Sequence, residues 1–189
     1  MYNESSFVSR MKILISLLIF GLIEVTRADV CNVHPASVNL GLFGRTCQSS
    51  TFPGAPRPGP ERAVDGVSET NHTMFTCAIT NLEPEPWWSV DLEESYFIGV
   101  VYIVTRQDSC WDCLEGAELR VGNSPDYKNP VCAVIKNISR SKPILQFFCN
   151  GMQGRYVTII HAGRSGIISL CECKIYQYIP GEKQPESLE

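Results

Sequence analysis

From about residue 35 onward the chain alternates short apolar, β-branched segments with polar turns. The strand-like segments are Ser89–Leu92, Phe97–Thr105, Ala117–Val121, Val131–Ile135, Ile144–Cys149, Arg155–His161 and Ile167–Ile179. Most are rich in Val, Ile, Tyr and Phe, and Gly, Pro, Asn or Asp separate them, as in Asn123-Ser124-Pro125-Asp126. Phe97–Thr105 is almost continuously apolar, which predicts a strand buried on both faces. No long amphipathic helix and no internal repeat interrupts the pattern. Regular short strands of this kind predict an all-β fold, an antiparallel β-sandwich. Trp87 and Trp88 adjoin a strand and read as packing residues.

Two segments break the alternation. Ser49–Arg62 contains Pro53, Pro56, Pro58 and Pro60. Each proline removes a backbone donor, so the segment is expected to be a surface loop. Pro180–Glu189 is polar and reads as a frayed tail.

The N-terminus is of a different kind. Arg10 and Lys12 precede eleven mostly apolar residues, Ile13–Ile23, and Thr26-Arg27-Ala28 places small residues at the −3 and −1 positions of a cleavage site. This is the layout of a secretory signal over residues 1–28. The apolar run is too short for a bilayer core and Glu24 ends it, although an uncleaved anchor is the other reading. Cleavage leaves 161 residues, enough for one domain with a substantial core, 29–179, followed by the tail 180–189. The signal carries three basic and two acidic residues, so its loss moves the net charge from −4 to −5. A mildly acidic chain without a basic cluster gives no basis for binding nucleic acid or inserting in a membrane.

All nine cysteines follow Ala28, and a secreted chain should pair most of them. Sequons at Asn71-His72-Thr73 and Asn137-Ile138-Ser139 agree with secretion and mark Asn71 and Asn137 as glycosylation sites. The match at Asn3 falls in the signal.

Candidate chemistry concentrates in Arg106-Gln107-Asp108-Ser109-Cys110-Trp111-Asp112-Cys113, directly after the apolar run. Polar groups on a loop at the end of a rigid strand are well placed for binding. Asp108 can orient Arg106 by a charge-assisted hydrogen bond and leave guanidinium donors for a ligand. The other reading is a solvated ion pair. Cys110 and Cys113 admit three readings: a disulfide, a redox Cys-x-x-Cys, or zinc ligation with Cys171 and Cys173. No βαβ pattern accompanies the second, and secretion disfavours the third. Trp111, flanked by both cysteines, is expected to stay out of the core, either as a platform for the apolar face of a ligand or as a solvent-facing loop residue.

A series of motifs carries a family resemblance. In order they are Asn39-Leu40-Gly41-Leu42-Phe43-Gly44-Arg45, Gln48-Ser49-Ser50, Ala63-Val64-Asp65-Gly66, Pro86-Trp87-Trp88-Ser89-Val90-Asp91-Leu92 and Gly116-Ala117-Glu118-Leu119-Arg120-Val121-Gly122. Asn129-Pro130-Val131-Cys132, Gly154-Arg155-Tyr156-Val157 and Leu170-Cys171-Glu172 complete it. From about Asn39 to Tyr178 the chain resembles the F-type lectins, or fucolectins. The Trp-Trp segment alone would also suit the wider discoidin-like sandwiches.

The resemblance implies a β-sandwich jelly roll with a shallow site for terminal L-fucose and a nearby structural calcium ion. The family grips sugar oxygens with three basic groups: a His, the Arg of Arg-x-Asp, and a later Arg or Lys. Here Arg106 and Asp108 match Arg-x-Asp, the His position falls on Ile79, and the second basic position falls on Cys113. Ser109-Cys110 replaces the family's adjacent cysteine pair, so Cys113 becomes the expected partner of Cys110. For calcium the matching positions are Asp65, the Thr76 hydroxyl and Glu172, with backbone carbonyls of Arg62 and Val67, an oxygen set suited to that ion. The alternative is that Asp65 only makes its Asp65-Gly66 turn and Glu172 pairs with a base. The resemblance also implies disulfides Cys77–Cys171 and Cys132–Cys149. Cys31, Cys47 and Cys173 remain, with one pair expected between the terminal segments, involving Cys173, and one cysteine free or linking a homo-oligomer.

His34, His72 and His161 show no triad or ligand spacing, and His161 reads as an ordinary surface residue at a strand end. An enzyme is therefore not expected. Two readings compete: a secreted, calcium-dependent lectin for fucose or a related sugar on glycans or glycoproteins, and a lectin-fold interaction module that has lost sugar binding.

Overall fold

A computed structural model describes residues 38–181 except Ala55 and residues 72–75. The signal segment, Cys31, His34, His72 and most of the tail lie outside the described residues. The strands are β1 (Arg45–Gln48), β2 (Ala78–Ile79), β3 (Glu83–Pro84), β4 (Trp87–Val104), β5 (Glu118–Gly122), β6 (Val131–Val134), β7 (Ile144–Ile160), β8 (Ser165–Gly166), β9 (Ser169–Leu170) and β10 (Glu172–Gln177). They pair in the order β1-β4-β7-β5-β6, with β10 also on β4, and β2 with β9 and β3 with β8 form two small ladders. Every pairing is antiparallel.

β4 and β7 hold this arrangement together by bending at the same level. Their register shifts between Asp91 and Tyr96 and again between Ile98 and Val100. Glu93 (φ 66°), Asn150 (φ 50°) and Gly151 (φ 80°) take the left-handed backbone that such corners need. Before the corner β4 pairs with β1, and after it with β10. Trp88, Val90 and Leu92 from one half and Val101 and Ile103 from the other enter one core with Leu119, Val121, Val157, Ile159 and Ile175. The sheet therefore doubles over into two facing layers, the predicted antiparallel β-sandwich.

The corners explain the differences from the predicted segments. Ser89–Leu92 and Phe97–Thr105 are one strand, as are Ile144–Cys149 and Arg155–His161, because the polar residues between them turn without breaking the ladder. Ile167–Ile179 is instead divided at Cys171, where the chain passes from β9 to β10. The run is buried as expected from Ile98 onward, with Ile98 and Val100 to Val104 at most 2% exposed, but its first residue, Phe97, is 51% exposed.

The proline-rich segment is more inward than predicted. Pro60–Ala63 forms a 3-10 turn, Pro58, Gly59 and Ala63 are buried, and the buried Trp88 donates from Nε1 to the Pro60 carbonyl at 2.9 Å. A wholly buried indole needs an acceptor, and the loop supplies it. Trp87 instead stacks on Tyr127, with ring centroids 5.7 Å apart.

Three disulfides form as expected, Cys77–Cys171, Cys110–Cys113 and Cys132–Cys149, which fits an oxidising compartment. With Cys110, Cys113 and Cys171 all in disulfides, too few thiolates are left for the zinc reading. Cys173 corrects the remaining expectation: its thiol is unpaired and completely buried in the core, and burial raises its pKa. Cys47, on the outer strand β1, is unpaired and exposed. Among the described residues no helix is long and apolar enough to cross a membrane.

At the corner Arg155 clamps Asp91 with two bonds of 2.6 Å, which hold the Asp91 carboxyl below the usual carboxylate range. A lowered folded-state pKa stabilises above the unfolded value and is lost as pH falls through the folded one. Stability is thus expected to fall more steeply below about pH 4 in the native chain than in Asp91→Asn. Denaturant titrations at stepped pH check this, and parallel acid limbs would refute it.

Candidate functional site

The loop leaving β4 is built around a buried charge. Thr105 donates to the Pro143 carbonyl from its amide (2.8 Å) and its hydroxyl (3.1 Å), and Arg106 then turns inward. Its side chain is only 9% exposed and that of Asp108 22%. The guanidinium donates Nε to Oδ1 at 2.9 Å and Nη2 to Oδ2 at 2.7 Å, with a further bond from Nη2 to Ser109 Oγ at 2.5 Å. A solvated surface pair is therefore not what forms. Burial makes each partner costly to lose without the other.

Gln107 ties the loop to its neighbours on two sides. Its amide donates to the Thr70 carbonyl at 2.8 Å and its Oε1 accepts from Thr70 Oγ1 at 2.7 Å. Its Nε2 donates to the Arg140 carbonyl at 3.1 Å, while Arg140 Nε returns a 2.6 Å bond to the Gln107 carbonyl. Beyond it Cys110 takes a left-handed backbone (φ 56°) and closes its disulfide to Cys113.

A pocket of about 300 Å³ opens beside this pair, lined by Phe52, Ile79, Arg106, Ser109, Cys110 and Ile167. Arg106, Ile79 and Cys110 thus come together as predicted, with Asp108 behind Arg106. Trp111 does not stand free: it is half-buried against the main core and is not part of the pocket wall. Its flanking cysteines bond to each other and leave the indole to turn inward. Phe52 and Ile167 are not foreseen in the sequence, and Ser109, within the stretch singled out there, has no role assigned to it. The one available signal was Phe52, a lone aromatic residue in a proline-rich loop.

His161 also departs from expectation. It is 3% exposed, its Nε2 donates to the Cys113 carbonyl at 2.8 Å, and its Nδ1 accepts from Arg164 Nε at 3.1 Å and Nη2 at 2.8 Å. Burial first, and the Arg164 charge after it, hold the imidazole below its ordinary pKa, so it is neutral with the proton on Nε2. Arg164 Nη2 also donates to the Glu115 carbonyl, and the Glu115 carboxylate accepts from the amides of Asn137 (3.1 Å) and Ile138 (3.0 Å). Cys113 thus supplies a sulfur and a carbonyl to the loop's scaffold.

A second constellation lies at the start of β10. Glu172 is fully buried, and neither of its carboxylate oxygens has a hydrogen-bond partner among the described residues. Burial, then the like charge of Asp65, push its pKa up to about 8, against weaker opposing fields from Lys174 and the Gly66 amide. The Gly66 amide contributes that field without meeting hydrogen-bond geometry. Among the described residues no base pairs with Glu172. Asp65 Oδ1 does accept from the Val67 amide at 2.9 Å, closing the expected turn. Arg62 ends the 3-10 turn with its Nε buried and unpartnered, Val67 is exposed, and Thr76 Oγ1 donates to the Glu69 carbonyl at 3.1 Å. The Cys77–Cys171 bond brings Thr76 beside Glu172 along the chain. Among the described residues no three His, Cys, Asp or Glu side chains converge, so any cation here would need neutral oxygens as well. Asn71 and Asn137 are both exposed, Asn71 next to Thr70 and Asn137 in a left-handed turn (φ 60°).

A double-layered antiparallel sandwich with a small pocket at the end of a central strand defines the class. Residues 62–159 match the family model of the NedA-like, galactose-binding F5/F8 type C domain. Within that class the chain belongs to the fucolectins. It is 32% identical to Fucolectin-1 of Anguilla japonica over 180 residues, 90% of this chain and 99% of that one. It is 32% identical to the fucolectin of Anguilla anguilla over 143 residues, 89% of that protein. Among solved structures, the F-lectin (fucolectin) from the serum of striped bass, Morone saxatilis, superposes with a TM-score of 0.70 at 37% identity. That match covers 77% of this chain, which spans about half of the striped-bass chain (49%). These relatives carry lectin names, in keeping with a binding protein rather than an enzyme.

The His161 geometry gives a pH dependence. A histidine whose pKa is lowered by folding binds its proton more readily in the unfolded chain, so stability falls as pH drops below about 6.5 and levels off below the folded value. Thermal melts from pH 8 to 5 should show this limb in the native chain and not in His161→Gln. Equal slopes in the two would refute it.

Proposed function

We propose that this protein is a secreted carbohydrate-binding lectin that takes a terminal sugar, fucose or a related one, on glycans or glycoproteins. The observation that carries the reading is Arg106: its guanidinium is buried and oriented by Asp108, yet it lines an open pocket with apolar walls. Oriented charged donors beside apolar surface suit a sugar, whose rings present oxygens at the edge and C–H groups on a face. The fucolectin relatives support the same class. Secretion is supported by the signal-like N-terminus and the three disulfides, and Asn71 and Asn137 would carry glycans. The exposed Cys47 is the residue through which a disulfide-linked oligomer would form.

A structural calcium ion belongs to the reading. Asp65 and Glu172 would supply the carboxylates, Thr76 the hydroxyl, and Arg62 and Val67 backbone carbonyls. Two neighbouring carboxylates, one buried without a partner, form a donor set that fits a hard divalent cation. Bound there, calcium would neutralise both acids and join the 62–67 turn to β10. The second reading, a fold that has lost sugar binding, draws on Ile79 and Cys113 standing where basic groups are expected.

A glycan array run with calcium and with a chelator tests both. Binding is expected, and the double variant Arg106→Ala/Asp108→Ala, which leaves neither charge buried alone, should lose at least about tenfold in affinity while keeping its fold. An array empty under both conditions would establish the second reading instead. Calcium at about 100 times its Kd should stabilise the chain by about 2.7 kcal/mol, and Glu172→Gln should remove most of that gain. A melting temperature indifferent to calcium rejects the ion.

A further inference from the structure

We infer that the Cys110–Cys113 disulfide is a thiol-sensitive bond that fixes the pocket wall, so that small thiols switch the pocket between a held and a released form. The effect on a ligand rests on the sugar-binding reading above, whereas the sensitivity to thiols does not.

The three disulfides differ in access. Cys77 and Cys171 are wholly buried. Cys149 is 3% exposed, and its partner Cys132 packs against the main core. Cys110 and Cys113 are both part-exposed, and Cys110 lines the pocket. The bonds also differ in what they hold. Cys77–Cys171 joins residues 94 apart and Cys132–Cys149 residues 17 apart, but Cys110–Cys113 residues only three apart. Loop-closure entropy grows with span, so the shortest bond contributes least to global stability and can open while the fold persists.

Within the loop the ties are uneven. The Cys113 carbonyl accepts from His161 Nε2 at 2.8 Å, and Leu114 after it is buried in the core. On the other side Gln107 and the Asp108 carbonyl are bonded to the Thr70 and Arg140 segments. Between these anchors the Cys110 backbone makes one hydrogen bond among the described residues, its carbonyl accepting from the Cys113 amide at 3.2 Å. Cys110 also holds a left-handed φ of 56°, which a residue with a Cβ keeps only under constraint. The disulfide supplies that constraint. Once opened, it releases Cys110 and with it the exposed Ser109, whose hydroxyl accepts from Arg106 Nη2. Both residues line the pocket, and Trp111, half-buried between the two cysteines, moves with them.

The step is thiol–disulfide exchange. A small thiolate attacks Cys110 Sγ, the Cys110–Cys113 bond breaks, and Cys113 leaves as a thiolate that takes a proton from water. A second thiolate attacks the sulfur of the attached small molecule. Cys110 leaves in turn and is protonated, and the two small thiols depart as their own disulfide. Two electrons thus pass from the thiols to the protein bond, and the small disulfide reverses the sequence.

Graded dithiothreitol on the full chain, followed by alkylation and peptide mapping, tests the order of opening. Cys110 and Cys113 are expected to be labelled at a concentration about tenfold below that which opens either other bond. The circular dichroism of the sheet should not change, the tryptophan emission should shift, and reoxidation should restore it; Trp111→Phe should abolish the shift. Titration calorimetry with methyl α-L-fucoside, a monovalent probe blind to any Cys47-linked oligomer, reads the consequence. Under dithiothreitol and without alkylation, affinity should fall about tenfold, because the fucoside must then order two released wall residues. The double variant Cys110→Ser/Cys113→Ser should bind as the reduced chain does and ignore the dithiol. Opening only together with the other bonds, opening without effect on Trp111 emission, or an affinity indifferent to opening would each overturn the inference. An empty glycan array for the oxidised chain would end the sugar-binding reading, and the labelling order and Trp111 emission would still decide this one.

Discussion

The candidate site depends on one requirement: a guanidinium taken out of water must be neutralised where it lies. Arg106 meets it through a two-point grip on Asp108, two residues further along the same loop. That geometry sets the course of the chain, because both ends of the pair belong to one tight turn. It also decides what a ligand can find. Two of the three guanidinium nitrogens are committed within the loop, so the arginine offers direction and one nitrogen rather than free charge. The remaining supports hold this turn in place: Gln107 bridging the Thr70 and Arg140 segments, the Cys110–Cys113 bond, and neutral His161 on the Cys113 carbonyl. A disulfide between residues three apart closes too short a loop to constrain the unfolded chain much. Its contribution is local, a sulfur wall at the pocket and a fixed path for the backbone.

The opposite wall is governed from elsewhere. Ile79 pairs with Ser169, and Ala78 with Leu170, in a ladder of only two residues per strand. Such a short pairing has little stability of its own. It is held because Cys77 and Cys171, the next residues on each strand, are covalently joined, and because Glu172 then enters the main sheet opposite Val104. Glu172 and the wall residue Ile167 thus belong to one segment, 167–172, which pairs with the strand that carries Ile79. If the proposed cation binds Asp65 and Glu172, it would steady the segment that carries Ile167 without being part of the pocket wall.

The sequence made the sandwich and half of the pocket legible, for identifiable reasons. A run such as Phe97–Thr105 has one stable solution, a strand buried on both faces, and the polar loop that follows it must emerge at the end of the sheet. Arg106 and Asp108 could be paired on spacing alone. The corners could not be read, because Glu93 and Asn150 carry the same turn signals whether a strand ends or only bends. Trp111 was misjudged because local flanks were weighed and the inward turn that the Cys110–Cys113 bond permits was not. His161 was invisible since its partners, a backbone carbonyl and Arg164, leave no ligand pattern. Phe52 and Ile167 reach the pocket only through tertiary contact.

Glu172 differs from the other buried or half-buried charges described here. Arg106 has Asp108, Asp91 has Arg155, and Glu118 has Arg120, each with a bond to its counter-ion. Glu172 is more deeply buried than any of them, and the charged group that raises its pKa is another acid. Like the buried Arg62 Nε, its carboxylate has no hydrogen-bond partner among the described residues, and its pKa is raised. On the proposed reading, the partner of this acid would be a bound cation and not a side chain. Such a partner would take oxygen ligands and would leave room for a hydroxyl and carbonyls to complete the site, as a divalent cation does.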